Sequence, residues 1–334
     1  MEQLRLEGMP RRLYACTPTR LSAWLDCPRR YRMSYLDRPP PRKGPPWAHN
    51  SLGASVHNAL AGWWRLRQRA RTVTAAGDLL VAGWITEGFA DPAQAAEHRD
   101  RCRGLVEKYV AGLDPAAEPA GVERTVATRT EIIAVSGRID RLDDRRTGSG
   151  QGELVVVDYK TGRYRPDEAD TRTSLALALY ALAAGRVLRR PCRRVELHHL
   201  PSGTVSTWEH TEESLARHLG RAEDIAAECT TADERYKAAV IADGGSAAGA
   251  SGGAPAGGGS AVATGASLGR PAGSRPIAIS GPVVDEAFPP RPGPGCSWCD
   301  FRAQCPEGSA AAPHRRPWEG LAALARDEAA LELA

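Results

Sequence analysis

The spacing of apolar residues changes character partway along the chain. As far as residue 112 they recur at intervals of three and four, the mark of amphipathic helices. The segment TPTRLSAWLDCPRRYRMSYL (17–36) predicts one helix, with Thr17 as its cap and Pro18 in its first turn. Prolines from Pro39 to Pro46 then break the chain. A second helix is expected from about Leu52 through GASVHNALAGWWRLRQRA, with Val56, Leu60, Trp63 and Trp64 as its apolar stripe. Two further helices are expected over roughly 75–112.

Beyond Pro119 the period falls to two. VERTVATRTEIIAVSGRIDRLDD and ELVVVDYKTG predict strands, joined by the turn-forming string RRTGSGQG. SLALALYALAAGRVL is apolar on nearly every side and predicts a buried helix. RRVELHHLPSGTVSTWEH predicts a hairpin turning at Pro201–Gly203, followed by a helix over roughly 211–229. Helices, then strands, a buried helix and a hairpin make mixed α/β the expected fold class. Residues 243–280 are Gly/Ala/Ser-rich with almost no large apolar side chain, so a flexible linker is expected there. Order is expected to resume at AFPPRPGPGCSWC, and the final segment 313–334 contains PWEGLAALARDEAALELA, which predicts a short amphipathic helix.

Composition narrows this picture. The 334 residues contain no run of 18 apolar positions, and the start lacks an apolar signal region, so a cytoplasmic protein with no membrane role is expected. Eight cysteines then point to metal binding or buried thiols rather than a disulfide framework. Net charge is only +4, but the first fifty residues carry ten Arg or Lys against four acids. Such a patch attracts phosphates and equally describes a solvated helical face. The Arg-rich stretches 65–71 and 28–32 are open to both readings. Arginine outnumbers lysine 40 to 4, so each remaining lysine, Lys160 among them, draws interest where a guanidinium cannot replace an ammonium.

Strand periodicity places Asp158 and Lys160 of LVVVDYKTG on one face, with Tyr159 on the other. A hairpin through 144–153 brings Asp140 of SGRIDRLDD beside Asp158. Two carboxylates and a backbone carbonyl make a hard oxygen site for Mg²⁺ or Mn²⁺. A neighbouring ammonium can hold an attacking water and offset charge growing on a phosphate. Solvated strand ends with Lys160 paired to a carboxylate would carry the same tripeptide. The four apolar residues before Asp158 favour a central strand, where a carboxylate without a cation is costly.

Cys296, Cys299 and Cys305 are spaced C-x₂-C-x₅-C, three ligands where a tetrahedral site wants four. Zinc, with His314 or Cys27 as the fourth ligand, and an iron–sulfur cluster are equally compatible with this spacing. Cys16, Cys102, Cys192 and Cys229 are read as core or surface thiols. His57 alone reads as a polar residue on a helix, and His198 and His199 carry no assigned role.

GASVHNAL, SGRIDRLDD, VVVDYKTG and the closing CSWCDFRAQCPEG together resemble, in that order, the RecB-like nucleases of the PD-(D/E)xK superfamily, stand-alone RecB-family exonucleases with an iron–sulfur staple included. The resemblance covers roughly residues 17–240 and 285–308. It implies a restriction-endonuclease-like α/β core, with a helical region over 17–112, a catalytic core over 120–240 and a C-terminal cysteine motif over 281–312 completing the nuclease domain. It implies that His57, Asp140, Asp158 and the Tyr159 carbonyl hold Mg²⁺ or Mn²⁺, that Lys160 is catalytic, and that Glu123 falls where many members carry an acid. Tyr180 matches the tyrosine of a helix motif Q-x-x-x-Y, but Ala176 stands where the glutamine belongs. LSAWLDCPRRY matches the upstream helix of the iron–sulfur members, so the resemblance makes Cys27 the fourth ligand of a [4Fe–4S] cluster with Cys296, Cys299 and Cys305. The implied activity is metal-dependent, exonucleolytic hydrolysis of single-stranded DNA ends in recombination or repair. Without a G-x-x-x-x-G-K-[ST] motif, any helicase partner is a separate chain. A non-cutting DNA-end-binding subunit and a CRISPR-associated spacer-acquisition nuclease share these motifs.

Overall fold

The computed structural model describes residues 13–145, 152–249 and 282–321. Its centre is a six-stranded mixed sheet. The long strand β3 (Ile133–Arg145) is its spine, with β2 (Gly121–Arg129) antiparallel along one edge. Along the other edge lie β1 (Tyr14–Cys16), parallel to its start, and β4 (Glu153–Lys160), antiparallel to its end. The sheet continues through β5 (Arg194–His199), parallel to β4, and β6 (Thr204–Glu209) at the far edge. The mixed α/β class is as expected.

The apolar run before Asp158 serves a strand covered on both faces. Val155, Val157 and Tyr159 pack against α3 (Ala48–Arg65) and α5 (Pro92–Ala111), with α4 (Val73–Ala82) outside them. Leu154 and Val156 pack against α7 (Leu175–Leu188), the expected buried helix. The short α6 (Glu168–Thr173) precedes α7, and α8 (Glu212–Gly249) runs past it to the N-terminal helices.

Three local expectations change. The segment 17–36 forms two helices, α1 (Pro18–Asp26) and α2 (Pro28–Tyr35), because Pro28 pushes Cys27 into an extended conformation. The three-residue β1 was too short to show a period. Helix α8 runs to Gly249 rather than stopping near 229, so the first residues of the expected linker are helical; the rest of it, 250–280, lies outside the described residues, as do the turn 146–151 and the tail beyond 321. Among the described residues no helix is long and apolar enough to cross a membrane.

The C-terminal segment packs onto the N-terminal helices. After α9 (Pro282–Ala287), Phe288 is buried among Trp24, Tyr31 and Tyr236. Arg29 joins Glu307 at 2.7 Å and Asp285 at 3.4 Å. Asp300 accepts from the Gly44 amide at 2.8 Å through its carbonyl and from Trp47 Nε1 at 3.2 Å through its carboxylate. Trp318 and Leu321 close onto the α3 core.

Candidate active site

The β3–β4 ladder ends at the pair Arg141 and Val157. One step further Asp140 and Asp158 would face each other, and there a side chain replaces the backbone: Tyr159 N donates to Asp140 Oδ2 at 2.9 Å. Helix α3 approaches this point closely, since a methyl at Gly53 would come within 3.3 Å of Thr161 Oγ1. One turn on, His57 places Nε2 3.2 Å from the Tyr159 carbonyl and Nδ1 3.3 Å from Asp140 Oδ2. Burial disfavours the charged imidazole, but Asp140, then Asp158 and Glu123, outweigh it and raise the His57 pKa.

Glu123 is opposite Asp140 in the β2–β3 register and has a left-handed backbone, with φ of 49°. A non-glycine residue in that region is strained, and such strain gathers at functional sites. The ligand atoms of His57, Glu123 and Asp140 all lie within 4.8 Å of one another, a group able to hold a metal ion. Arg138 Nε also reaches Glu123 Oε2, at 2.8 Å.

Asp158 stands beside this group, its Oδ2 2.6 Å from Lys160 Nζ. Burial raises the Asp158 pKa and Asp140 adds to the effect, while Lys160 opposes both. As the strand period requires, Tyr159 points to the opposite face and is buried. The Tyr180 pKa is raised by burial, then by the negative charges of Asp158 and Asp140. Gly137 makes room for its ring, because a methyl there would overlap Tyr180 Cε1. Ala176, one turn earlier on α7, is half-buried and offers no amide. Hard oxygen donors, an imidazole and an ammonium thus converge where a phosphodiester and a divalent cation could meet.

Sequence reasoning missed the polar network beneath the site. Arg141 Nη1 donates to the hydroxyls of Tyr159 and Tyr109, at 3.2 and 3.1 Å. The chain of contacts continues through His198 to Glu196 and Arg194, each step between 2.7 and 2.8 Å. Glu196 is partly buried, which would raise its pKa, yet His198 and Arg194 hold it down to about 2. His199 Nε2 bonds the Gly162 carbonyl at 2.7 Å, fixing the chain just after Lys160. Arg194, Glu196 and His198 alternate along one face of β5, a pattern the sequence carries, whereas Tyr109, Arg141 and Tyr159 come from three other elements.

The cysteines separate into two classes. Cys16, Cys102, Cys192 and Cys229 are buried, and burial pushes three of their thiols up, Cys16 to about 11 and Cys192 and Cys229 to about 12. Cys27, Cys296, Cys299 and Cys305 are part-exposed and rim a single cavity of about 370 Å³. Gly308 fits between two of them, since a Cβ there would stand 3.3 Å from the sulfurs of both Cys296 and Cys305. Backbone amides point at this rim, Arg291 N at Cys27 Sγ (3.5 Å) and Gly308 N at Cys305 Sγ (3.4 Å). His314 is exposed and does not line the cavity.

Of the arginines offered for phosphate contact, Arg65, Arg67 and Arg69 are exposed, whereas Arg71 and those of 28–32 are engaged within the fold. Arg71 is buried and donates to the carbonyls of Leu66, Pro115, Ala117 and Trp64. Arg29 and Arg32 pair with carboxylates that join the chain ends.

No curated protein matches the chain. A solved structure from Eubacterium rectale, described as "Putative exonuclease", aligns with 52% of this chain and 80% of its own at 8% identity, with a TM-score of 0.26. The sequence pattern of the PD-(D/E)XK nuclease superfamily matches residues 15–252, a span that holds the whole His57, Glu123, Asp140, Asp158 and Lys160 constellation. This chain belongs to that superfamily of nucleases.

Proposed function

We propose that the chain is a RecB-like, divalent-metal-dependent deoxyribonuclease that trims single-stranded DNA ends. The observation that carries this reading is the wedge at the end of the β3–β4 ladder, where His57, Glu123 and Asp140 gather beside the Asp158–Lys160 pair. Mg²⁺ or Mn²⁺, when bound, supplies Lewis acidity at a phosphoryl oxygen. His57, Asp140, Asp158 and the Tyr159 carbonyl would hold the ion, with Glu123 as a further carboxylate. Lys160, half-exposed, orients the attacking water and offsets charge developing on the phosphate. Tyr180 helps shape the pocket for the sugar–phosphate backbone.

The cysteine cavity is assigned to a [4Fe–4S] cluster, as the family resemblance implies, and what supports it is that Cys27, Cys296, Cys299 and Cys305 rim one cavity. The role of the cluster here is structural, tying the α1–α2 junction to the closing segment.

The absent amide at Ala176 favours one second reading, a subunit that grips DNA ends without cutting. Single-turnover cleavage of a labelled single strand at saturating Mg²⁺ separates the two. Wild type is expected to cut, and Lys160→Arg to bind as well but cut roughly a hundredfold more slowly, the scale for losing one positioned electrostatic group. Tight binding with no metal-dependent cutting by wild type would establish the second reading instead. A visible absorption spectrum after anaerobic purification tests the cluster.

A further inference from the structure

A second cleft lies away from the wedge, between the end of α6, strand β6 and the first turns of α8, with a volume of about 520 Å³. Arg172, Trp208, Arg217, His218 and Arg221 line it. Arg217 and Arg221 are one turn apart, so they project from the same face of α8. All three arginines are exposed, and among the described residues none makes a side-chain hydrogen bond or ion pair. They differ in this from Arg29, Arg71 and Arg141, which are bound up in the fold. Glu213, one turn before Arg217 on α8, feels its charge, but no hydrogen bond or ion pair joins them among the described residues.

Trp208 forms the half-buried floor, with the Arg172 guanidinium 5.5 Å from its ring centroid. His218 Nε2 lies 3.2 Å from the Arg172 carbonyl, which brings α8 against α6. Burial first, then Arg221 and Arg217, lower the His218 pKa although the Arg172 carbonyl opposes them, so the ring lies in a positive field.

The cleft shares a sheet face with the wedge. Across β4, β5 and β6 the registered rows are Lys160, His199 and Thr204; Asp158, Leu197 and Ser206; and Val156, Val195 and Trp208. Side chains in one row point the same way. Trp208 is therefore two strands across and four residues back from Lys160, about 16 Å at ordinary sheet spacings. Helix α6 is seated between them by the 2.6 Å contact of Thr171 Oγ1 with Ser206 Oγ.

We propose that this cleft binds a stretch of single-stranded nucleic acid flanking the cleavage site, with phosphates on Arg172, Arg217 and Arg221 and a base against Trp208. The inference rests on the nuclease reading for its substrate class. Exposed arginines without ion pairs around an aromatic floor are the combination single strands require, phosphate neutralisation with stacking. An acidic peptide would use the arginines but gain nothing from the indole.

The test is fluorescence anisotropy with the full-length chain in EDTA, where cutting is suppressed, using a labelled oligothymidylate of roughly 20 nucleotides. The double variant Arg217→Ala/Arg221→Ala alters exposed positions and is expected to keep the wild-type melting temperature. It should bind at least about tenfold more weakly, with the log–log salt slope reduced by about 1.4, the value for two lost single-strand phosphate contacts. Trp208→Phe should weaken binding less and leave the slope unchanged. Unchanged affinity and slope in the double variant would overturn the proposal. So would displacement of the oligonucleotide by polyglutamate as readily as by unlabelled strand, which would make the cleft an acidic-peptide site. Strand binding that needs the arginines, in a wild type that never cuts with Mg²⁺, would uphold the cleft and overturn the nuclease reading. Cutting by wild type that the double variant reproduces on long strands would do the reverse.

Discussion

The acidic wedge and the cysteine cavity both gather ligand-type side chains, but opposite kinds of structure hold them. In the wedge, Asp140 and Asp158 belong to adjacent strands whose register is fixed by continuous apolar packing on both faces. The sheet would keep these carboxylates together whether or not an ion were bound. In the cavity, Cys27 separates α1 from α2, Cys299 ends one 3₁₀ turn, and Cys305 lies between another and the short helix Pro306–Ala311. Those positions sit in no backbone ladder. Ligand loss in the wedge should therefore change chemistry more than stability, and ligand loss in the cavity should do the opposite.

The sharpest break of this contrast is Asp158→Asn. Burial and Asp140 already disfavour the charged carboxylate, so its removal relieves the fold. Metal-dependent cleavage should fall on the order of a thousandfold or more, while the melting temperature of the metal-free protein holds or rises. A clear fall in melting temperature would show that the wedge is needed for folding after all.

Cys27→Ser should show the reverse pattern. Serine suits the start of α2, where Cys27 provides no side-chain cap, so the helix itself should lose nothing. Any loss of stability then reports what the four cysteines bind. We expect about 2 kcal/mol or more in anaerobic denaturant titrations, with cleavage reduced only as far as the folded fraction falls. An unchanged titration would mean that the cavity holds nothing.

Gly137→Ala joins the two kinds of behaviour. Its methyl would drive into the Tyr180 ring, at a cost of about 1–3 kcal/mol. Adding Tyr180→Ala should restore the stability but not the cleavage rate. If the double variant recovered both, Tyr180 would be packing alone.

Much of the wedge was legible because it depends on local periods. Period-two alternation put Asp158 and Lys160 on one face, and a hairpin of the right length aligned Asp140 with them. Glu123 was harder to weigh, because its left-handed backbone carries no glycine to announce it. The network from Arg141 to Arg194 shows half a local pattern, Arg194, Glu196 and His198 alternating on β5, but its links to Tyr109, Arg141 and Tyr159 join separate elements and leave none. The break at Cys27 was legible but overlooked: Pro28 restricts the residue before it, and the apolar spacing on either side hid that. The length of α8 was misjudged although Cys229, Ala232, Tyr236 and Val240 continue its apolar stripe at helical spacing, because small and polar residues between them thin the pattern.

The burial of Phe288 among Trp24, Tyr31 and Tyr236 makes the closing segment a separable part. Asp140, Asp158, Lys160 and His57 all precede Gly249, whereas three of the four cavity cysteines follow Pro282. A chain opened between those two points would yield one polypeptide carrying the reacting groups and another carrying most of the clamp. Supplied as two polypeptides, they should reassemble through aromatic burial and the Arg29 ion pairs, so that the concentration of the smaller piece would govern how much of the larger is folded.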